Sequence, residues 1–292
     1  MIIVKLQGGM GNQMFQYAFA RKIQQEKKDK IILDISDFKY DKQREYALNK
    51  FILNENIITD DTGKYNLLYD KRTNFILNLG IKLLPDVIYR LLALFGVYVW
   101  DFIKYKEMNI DSKKKNIFIH GYWQSEKYFY DIQNELKKEL IIKEKISIKN
   151  EEIYNQIKET SSVCVHIRRG DFLLQSNNLY ICENDYYLKA MEKIKNQIKN
   201  PHFFIFSDDI EDVKNNFYFA DYKVIFVENQ NTDFEELQLM CSCKHFIIAN
   251  STFSWWASYL STNLDKLIVA PKMWYTDGRD ISDLMRDEWI II

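Results

Sequence analysis

Three short apolar runs in the second half of the chain constrain its fold more than anything else. They are Val163–Ile167, His202–Phe206 and His245–Ala249. Each is rich in β-branched or aromatic residues, too short for a helix, and followed by a polar cluster. Helical periodicity fills the gaps. Asn184–Gln197 places Tyr187, Met191 and Ile194 on one face. Ile210–Tyr218 follows, then Phe234–Cys241 behind a cap at Thr232 or Asp233, then a helix to about Ser261. Lys223–Val227 and Lys266–Ala270 read as further strands. Strands alternating with helices across short connections predict a parallel sheet covered on both faces. The first half opens the same way. A strand Ile2–Leu6 leads through a glycine turn into a helix with Met14, Phe15, Ala18, Phe19 and Ile23 on one face, and then into a strand at Lys30–Asp34. Ile117–His120 reads as another strand, and Asp131–Lys145 as a charged helix.

At 292 residues the chain is long for one core and suits two α/β domains of about 150 residues each. The expected division is 1–150 and 151–292, with Lys143–Asn150 as the connection. Residues 38 to about 110 read as a helical insertion in the first domain, facing the acceptor or a membrane, or else, as the base rate for apolar helical faces favours, as a helical cover packed on the sheet. Ile76, Leu79, Leu83 and Leu84 have helical spacing there, and Pro85 is a helix-start signal. Leu91–Trp100 is the longest uncharged apolar run, well short of the roughly 20 residues of a membrane span. The net charge of −1 speaks against nucleic-acid binding driven by bulk charge, so no nucleic-acid partner is expected. Cys164, Cys182, Cys241 and Cys243 have no metal-site spacing and read as reduced thiols. The chain opens on a strand, so no signal peptide is expected and a cytoplasmic location follows. Contact with a membrane surface through the aromatic and basic middle segment stays open.

The polar clusters share one end of the predicted sheet. The first run ends in His166-Ile-Arg168-Arg169-Gly-Asp171, the second in Asp208-Asp209, and the third in Asn250-Ser251-Thr252-Phe253-Ser254 at a helix start. Ligands of open α/β sheets bind beyond the carboxyl ends of strands. Arginine forks and a helix N-terminus neutralise phosphate, serine and threonine hydroxyls add hydrogen bonds, and a carboxylate accepts from guanine N–H groups. Together they fit a nucleoside diphosphate. Each also has a structural reading: a solvated basic turn paired with Asp171, helix caps at Asp208-Asp209 and Ser251-Thr252, a core histidine at His166. No Asp-x-Asp motif occurs, so no divalent metal is expected, and Arg168 is placed to stabilise a leaving pyrophosphate.

In the first half, Gly9, Gly11, Asn12 and Gln13 form the turn after the opening strand. Its third dinucleotide-fingerprint position holds Met14, which argues against a nicotinamide enzyme. Two carboxamides at a glycine turn suit hydroxyls of a polar substrate. Tyr122, Trp123 and Gln124 stand at the carboxyl end of the Ile117–His120 strand and are candidates to line the same region.

Taken together, these stretches resemble glycosyltransferase family 11, the α-1,2-fucosyltransferases. His166-Ile-Arg-Arg-Gly-Asp-Phe172 is similar to that family's His-x-Arg-Arg-x-Asp motif. The blocks beginning at Gly8, Gly121, Phe206 and Asn250 resemble its other motifs in the same order, while residues 38–115 lie outside any of them. The resemblance implies a GT-B-like α/β fold of two Rossmann-like domains facing a cleft, acceptor-side first and donor-binding second. It implies a GDP-β-L-fucose donor, no cofactor or required metal, and inverting transfer to the 2-hydroxyl of a galactoside, free or as a lipid-linked glycan. Arg168 would contact the β-phosphate and His166 lie near guanine, with Asp208 or Asp209 as a further guanine contact. Ser251–Phe253 would form a phosphate-binding turn, and Asn12 would face the acceptor. Asp171 is the first candidate for a general base, or else it orients Arg168. Surface-glycan synthesis, with peripheral contact at the inner membrane face, is the expected setting. A nucleotide-binding sensor without transfer activity, or a fucosyltransferase of another linkage, remains the alternative.

Overall fold

The computed structural model describes residues 1–65, 85–100, 103–170, 173, 178–228 and 230–292. They fall into two compact units, Met1–Ile141 and Ile142–Ile292. No helix among the described residues is long and apolar enough to cross a membrane.

The first unit is built on five parallel strands: β1 (Ile2–Lys5), β2 (Ile31–Asp34), β3 (Ile57–Asp60), β4 (Val97–Trp100) and β5 (Ile117–Gly121), in the order β3-β2-β1-β5-β4. Ile2 stands opposite Ile31 on one side and Ile117 on the other. β1 and β2 are buried along their whole length, which is why they read as unbroken apolar runs rather than alternating ones. The helix Met10–Lys27 is buried on almost every turn, not only on the face that its apolar residues predict. Its polar side chains are therefore bonded inside. Gln13, fully buried, donates to the carbonyls of Gly8 and Glu45 at 2.9 and 2.8 Å and accepts from the Ala47 N–H at 2.9 Å. The helix stops at Lys28, whose left-handed backbone (φ 53°) lets its N–H reach the Gln24 carbonyl.

The middle stretch departs from its helical reading. It carries the helix Pro85–Leu94, as Pro85 predicts, but also both edge strands, β3 and β4. The periodic positions Ile76, Leu79, Leu83 and Leu84 lie outside the described residues. β4 was concealed within the Leu91–Trp100 run. Gly96 separates helix from strand with φ 78°, where an added Cβ would stand 2.6 Å from the Asn116 carbonyl oxygen. The charged helix expected over Asp131–Lys145 is shorter, Gln133–Glu139, because two 3₁₀ turns precede it.

The second unit holds six parallel strands: β6 (Ser161–Ile167), β7 (Pro201–Ser207), β8 (Val224–Phe226), β9 (His245–Ile247), β10 (Ile268–Ala270) and β11 (Ile290–Ile291), in the order β11-β10-β9-β6-β7-β8. The two-residue β11 and the helix Glu151–Glu159 were not anticipated. On one face Val163, Val165, Ile167, Phe203 and Ile205 pack against Tyr187, Ala190, Met191 and Ile194, all fully buried. Each of the valines, isoleucines, Phe203 and Met191 contributes about 1.5–3 kcal/mol by leaving water.

Both sheets reverse direction at their centre. In the first, the chain runs outward through β1, β2 and β3, then returns to place β5 on the other side of β1. In the second it runs through β6, β7 and β8, then returns to place β9 beside β6. Crevices outside the carboxyl ends of strands at such switch points are where open α/β sheets bind ligands. The β6/β9 point carries the arginine and Asn250-Ser251-Thr252 clusters. The β1/β5 point carries the glycine turn and the Tyr122–Gln124 cluster.

Candidate active site

Strand alternation sorts the residues at the end of β6. Val163, Val165 and Ile167 take the core face just described, so His166 points to the other. The His166 side chain is buried, its Nδ1 has no hydrogen-bond partner among the described residues, and its ring lies 5.8 Å from that of Phe253. Burial, and after it the Arg168 charge, push its pKa down to about 3. It is a neutral imidazole at any ordinary pH.

Asp208 organises the arginines. Its Oδ2 lies 3.2 Å from Arg168 Nη1, and its Oδ1 accepts the Arg169 backbone N–H at 2.8 Å. Gly170 makes room for it: a Cβ there would stand 2.3 Å from Asp208 Oδ2. The Arg168 guanidinium is four-fifths buried. Arg169 is held differently. Its Nε donates to Asp212 at 2.6 Å, and its guanidinium lies over the Phe217 ring at 5.3 Å. Asp209 caps the helix Ile210–Asn216 by accepting the Asp212 N–H at 3.0 Å. Asp208 thus takes the electrostatic role and Asp209 the capping role. Asp171 lies outside the described residues.

Past β9, the helix Thr252–Leu260 begins at the same switch point. Ser251 caps it, accepting the Phe253 N–H at 3.3 Å. Asn250 is a clamp: its Nδ2 donates to the Tyr180 and Trp274 carbonyls at 2.7 and 3.0 Å, and its Oδ1 accepts from Cys182 at 3.6 Å. Ser254, fully buried, donates to the Ala249 and Ser251 carbonyls. Thr252 and Phe253 are the half-buried residues of this turn.

One acid escaped the sequence reading. Glu236, in the first helical turn of Asp233–Ser242, has its pKa raised to about 8. Burial is the main cause. Asp233 and Asp208 add to it, and Arg168 opposes it. Glu236 therefore shares the field of the Arg168–Asp208 pair. In sequence it is hidden by its neighbour Glu235, which completes a capping box with Thr232 and makes both acids look like helix-start residues. An arginine with an oriented carboxylate, a neutral imidazole and a helix N-terminus make a site suited to a diphosphate with a hydrogen-bonding base.

In the first unit the glycine turn after β1 is equally built. Gly8 has φ 75°, and a Cβ there would meet Asn12 Nδ2 at 2.6 Å. The Gly9 carbonyl accepts the N–H groups of Asn12 and Gln13, and Gly11 is buried in the helix start. Asn12 Oδ1 accepts from Gln124 Nε2 at 2.8 Å, and His120 Nε2 lies 3.3 Å from Gln7 Oε1. Trp123 is core: fully buried, stacked on Phe19 with ring centroids 4.1 Å apart. Its positive φ of 54°, costly for a bulky residue, turns the chain so that Gln124 reaches Asn12. Tyr122 is half-buried, while Gln13 serves the turn itself.

Two parallel α/β units, each with a polar cluster at its switch point, are the architecture of the GT-B glycosyltransferases. Fucosyltransferase NodZ from Bradyrhizobium has this fold: it superposes with a TM-score of 0.57 at 16% identity, over 88% of this chain and 91% of that one. The model of glycosyl transferase family 11 matches residues 97–292, and the chain belongs to that family. The α-1,2-colitosyltransferase of Escherichia coli is 31% identical over 299 residues, spanning 100% of this chain and 98% of that protein. The O-antigen biosynthesis glycosyltransferase WbnK of Escherichia coli is 30% identical over 312 residues, spanning 98% of each. The chain is therefore a glycosyltransferase, as its motifs led one to expect.

Proposed function

We propose that this enzyme transfers L-fucose from GDP-β-L-fucose to the 2-hydroxyl of a galactoside, with inversion and without a divalent metal. The setting is surface-glycan synthesis, on a lipid-linked acceptor at the inner face of the membrane. The observation that carries the donor half is the Arg168–Asp208 pair beside neutral His166 and the N-terminus of Thr252–Leu260. As the bond from C1 to the β-phosphate oxygen breaks, the pyrophosphate end of GDP gains charge. Arg168 and the helix N–H groups would take up that charge. The acceptor 2-oxygen attacks C1 from the opposite side and gives up its proton, to Asp171 or to solvent. His166, with Asp208 and Glu236, would receive the base. In the first unit Gln124 Nε2 holds Asn12 Oδ1 at the glycine turn, and Asn12 would face the acceptor.

One finding favours a second donor. The 31% identical relative is a colitosyltransferase, and colitose is the 3-deoxy form of L-fucose. Phosphate and guanine contacts do not distinguish the two sugars.

The test is GDP release from GDP-fucose and GDP-colitose, with a panel of galactosides and EDTA present. Acceptor-dependent release with GDP-fucose is expected. Release with GDP-colitose alone would replace the donor, loss of activity in EDTA would overturn metal independence, and GDP binding without release to any acceptor would favour a sensor.

Two narrower outcomes follow. Gln124→Ala is expected to raise the acceptor KM several-fold while leaving GDP affinity unchanged, because it removes the hydrogen bond that holds Asn12 in the first unit; isothermal titration with GDP separates the two. Glu236 adds a negative charge to the donor site only when it ionises, near pH 8. GDP affinity should therefore weaken as pH rises through 8, and the Glu236→Gln protein should bind GDP with no such step.

A further inference from the structure

The outer side of the helix Pro85–Leu94 is largely apolar. Ile88, Tyr89, Leu92 and Ala93 are half-buried, and Tyr89 meets Trp100 of β4 edge-on at 5.6 Å. The opposite side ought to be polar. Instead Val87, Leu91, Leu94 and Phe95 are 51%, 49%, 68% and 80% exposed. Their spacing of four, three and one residues places them on one stripe of roughly 100° at 3.6 residues per turn. An apolar helix face is normally buried against a partner. Among the described residues, one side of this helix packs on the sheet and nothing covers the other.

The rim of the stripe is cationic. Arg90, exposed, flanks it on the helix. Lys114 stands at its carboxyl end, where its Nζ donates to the Leu94 carbonyl at 2.8 Å, and its chain neighbours Lys113 and Lys115 are exposed. Asp111, 3.8 Å from Lys114, offsets one of these charges. An apolar stripe that ends in Leu-Phe and is bordered by arginine and lysines is the pattern of a helix lying in a bilayer interface, with its lysines among anionic headgroups. We infer that this face docks the enzyme on an anionic lipid surface. A second protein copy is the poorer occupant, since two such faces would bring like-charged rims together. The inference rests on the proposed function only in that a lipid-linked acceptor gives the docking a purpose.

The experiment is co-sedimentation of the full chain with vesicles of phosphatidylglycerol and phosphatidylethanolamine, against vesicles of phosphatidylcholine alone. Binding to the anionic vesicles, weakened by salt, is expected. Leu94→Ser/Phe95→Ser and Lys113→Glu/Lys115→Glu should each lower the partition coefficient by about tenfold or more. These four side chains are exposed, so the melting temperature should hold. Wild-type protein remaining in the supernatant, or both variants binding like wild type, would overturn the inference. So would a wild-type dimer in sedimentation velocity that Leu94→Ser/Phe95→Ser dissolves. GDP release with a soluble galactoside, measured on the same proteins, separates the two ideas. Vesicle binding without transfer sinks the proposed function alone, and transfer without vesicle binding sinks the docking face alone.

Discussion

Arg168→Ala should abolish transfer, lowering kcat/KM by at least about 10²–10³, or roughly 3–4 kcal/mol of transition-state stabilisation. The guanidinium is mostly buried and already oriented by Asp208, so little reorganisation accompanies the growth of charge on the leaving group. Removing it leaves that charge to the helix N-terminus alone. The fold should survive, because Asp208 keeps the Arg169 backbone N–H, and β6 and β7 stay joined at their ends. Arg168→Lys restores the charge but not the planar fork, and should recover only part of the rate. Circular dichroism checks folding and acceptor-dependent GDP release checks activity. Near wild-type turnover in Arg168→Ala would remove this residue from the mechanism.

The largest stability effect is expected in the first unit. Glu139 accepts from Arg21 Nε and Nη2 at 2.7 and 2.5 Å and from the Tyr17 hydroxyl at 2.6 Å. Arg21 also reaches Gln24, and the Tyr17 hydroxyl accepts the Asn54 N–H. One carboxylate thus joins the helices Met10–Lys27 and Gln133–Glu139 to the loop at Asn54. Glu139→Ala strands a nearly buried guanidinium and a buried phenol, which should cost about 3–5 kcal/mol. The reading is the denaturant midpoint of the first unit's unfolding. A shift worth less than about 1 kcal/mol would mean that water replaces the carboxylate readily.

What the sequence made legible follows from how far each element is controlled by its own residues. β1, β2, β6, β7 and β9 are buried on both faces, so their runs of Ile, Val and Phe announce them. β3 is half-exposed with a mixed pattern, and β4 is concealed in an apolar run that only Gly96 divides. Such edge strands are specified by their partners, not by local periodicity. The site shows the same split. Strand ends and glycine turns marked where the polar clusters would gather. The division of labour between Asp208 and Asp209, the clamping by Asn250 and the core role of Trp123 depend on tertiary neighbours, and neither residue type nor spacing reveals them. Glu236 needed both its burial and the proximity of Arg168 and Asp208 to stand out.

The seven-residue ladder between β6 and β7 runs from Ser161 opposite Pro201 to Ile167 opposite Ser207, so Arg168 and Asp208 are the next rung. Their meeting is therefore a matter of counting along two strands, and the length of chain that joins those strands does not enter. Residues added to the exposed turn after the helix Asn184–Lys195 should leave the pair where it is, whereas one residue inserted inside β7 would shift Asp208 by a rung and turn it to the wrong side of the sheet. Homologues are thus free to lengthen or trim the intervening loops, and an engineer can graft onto them, as long as the two strands keep step.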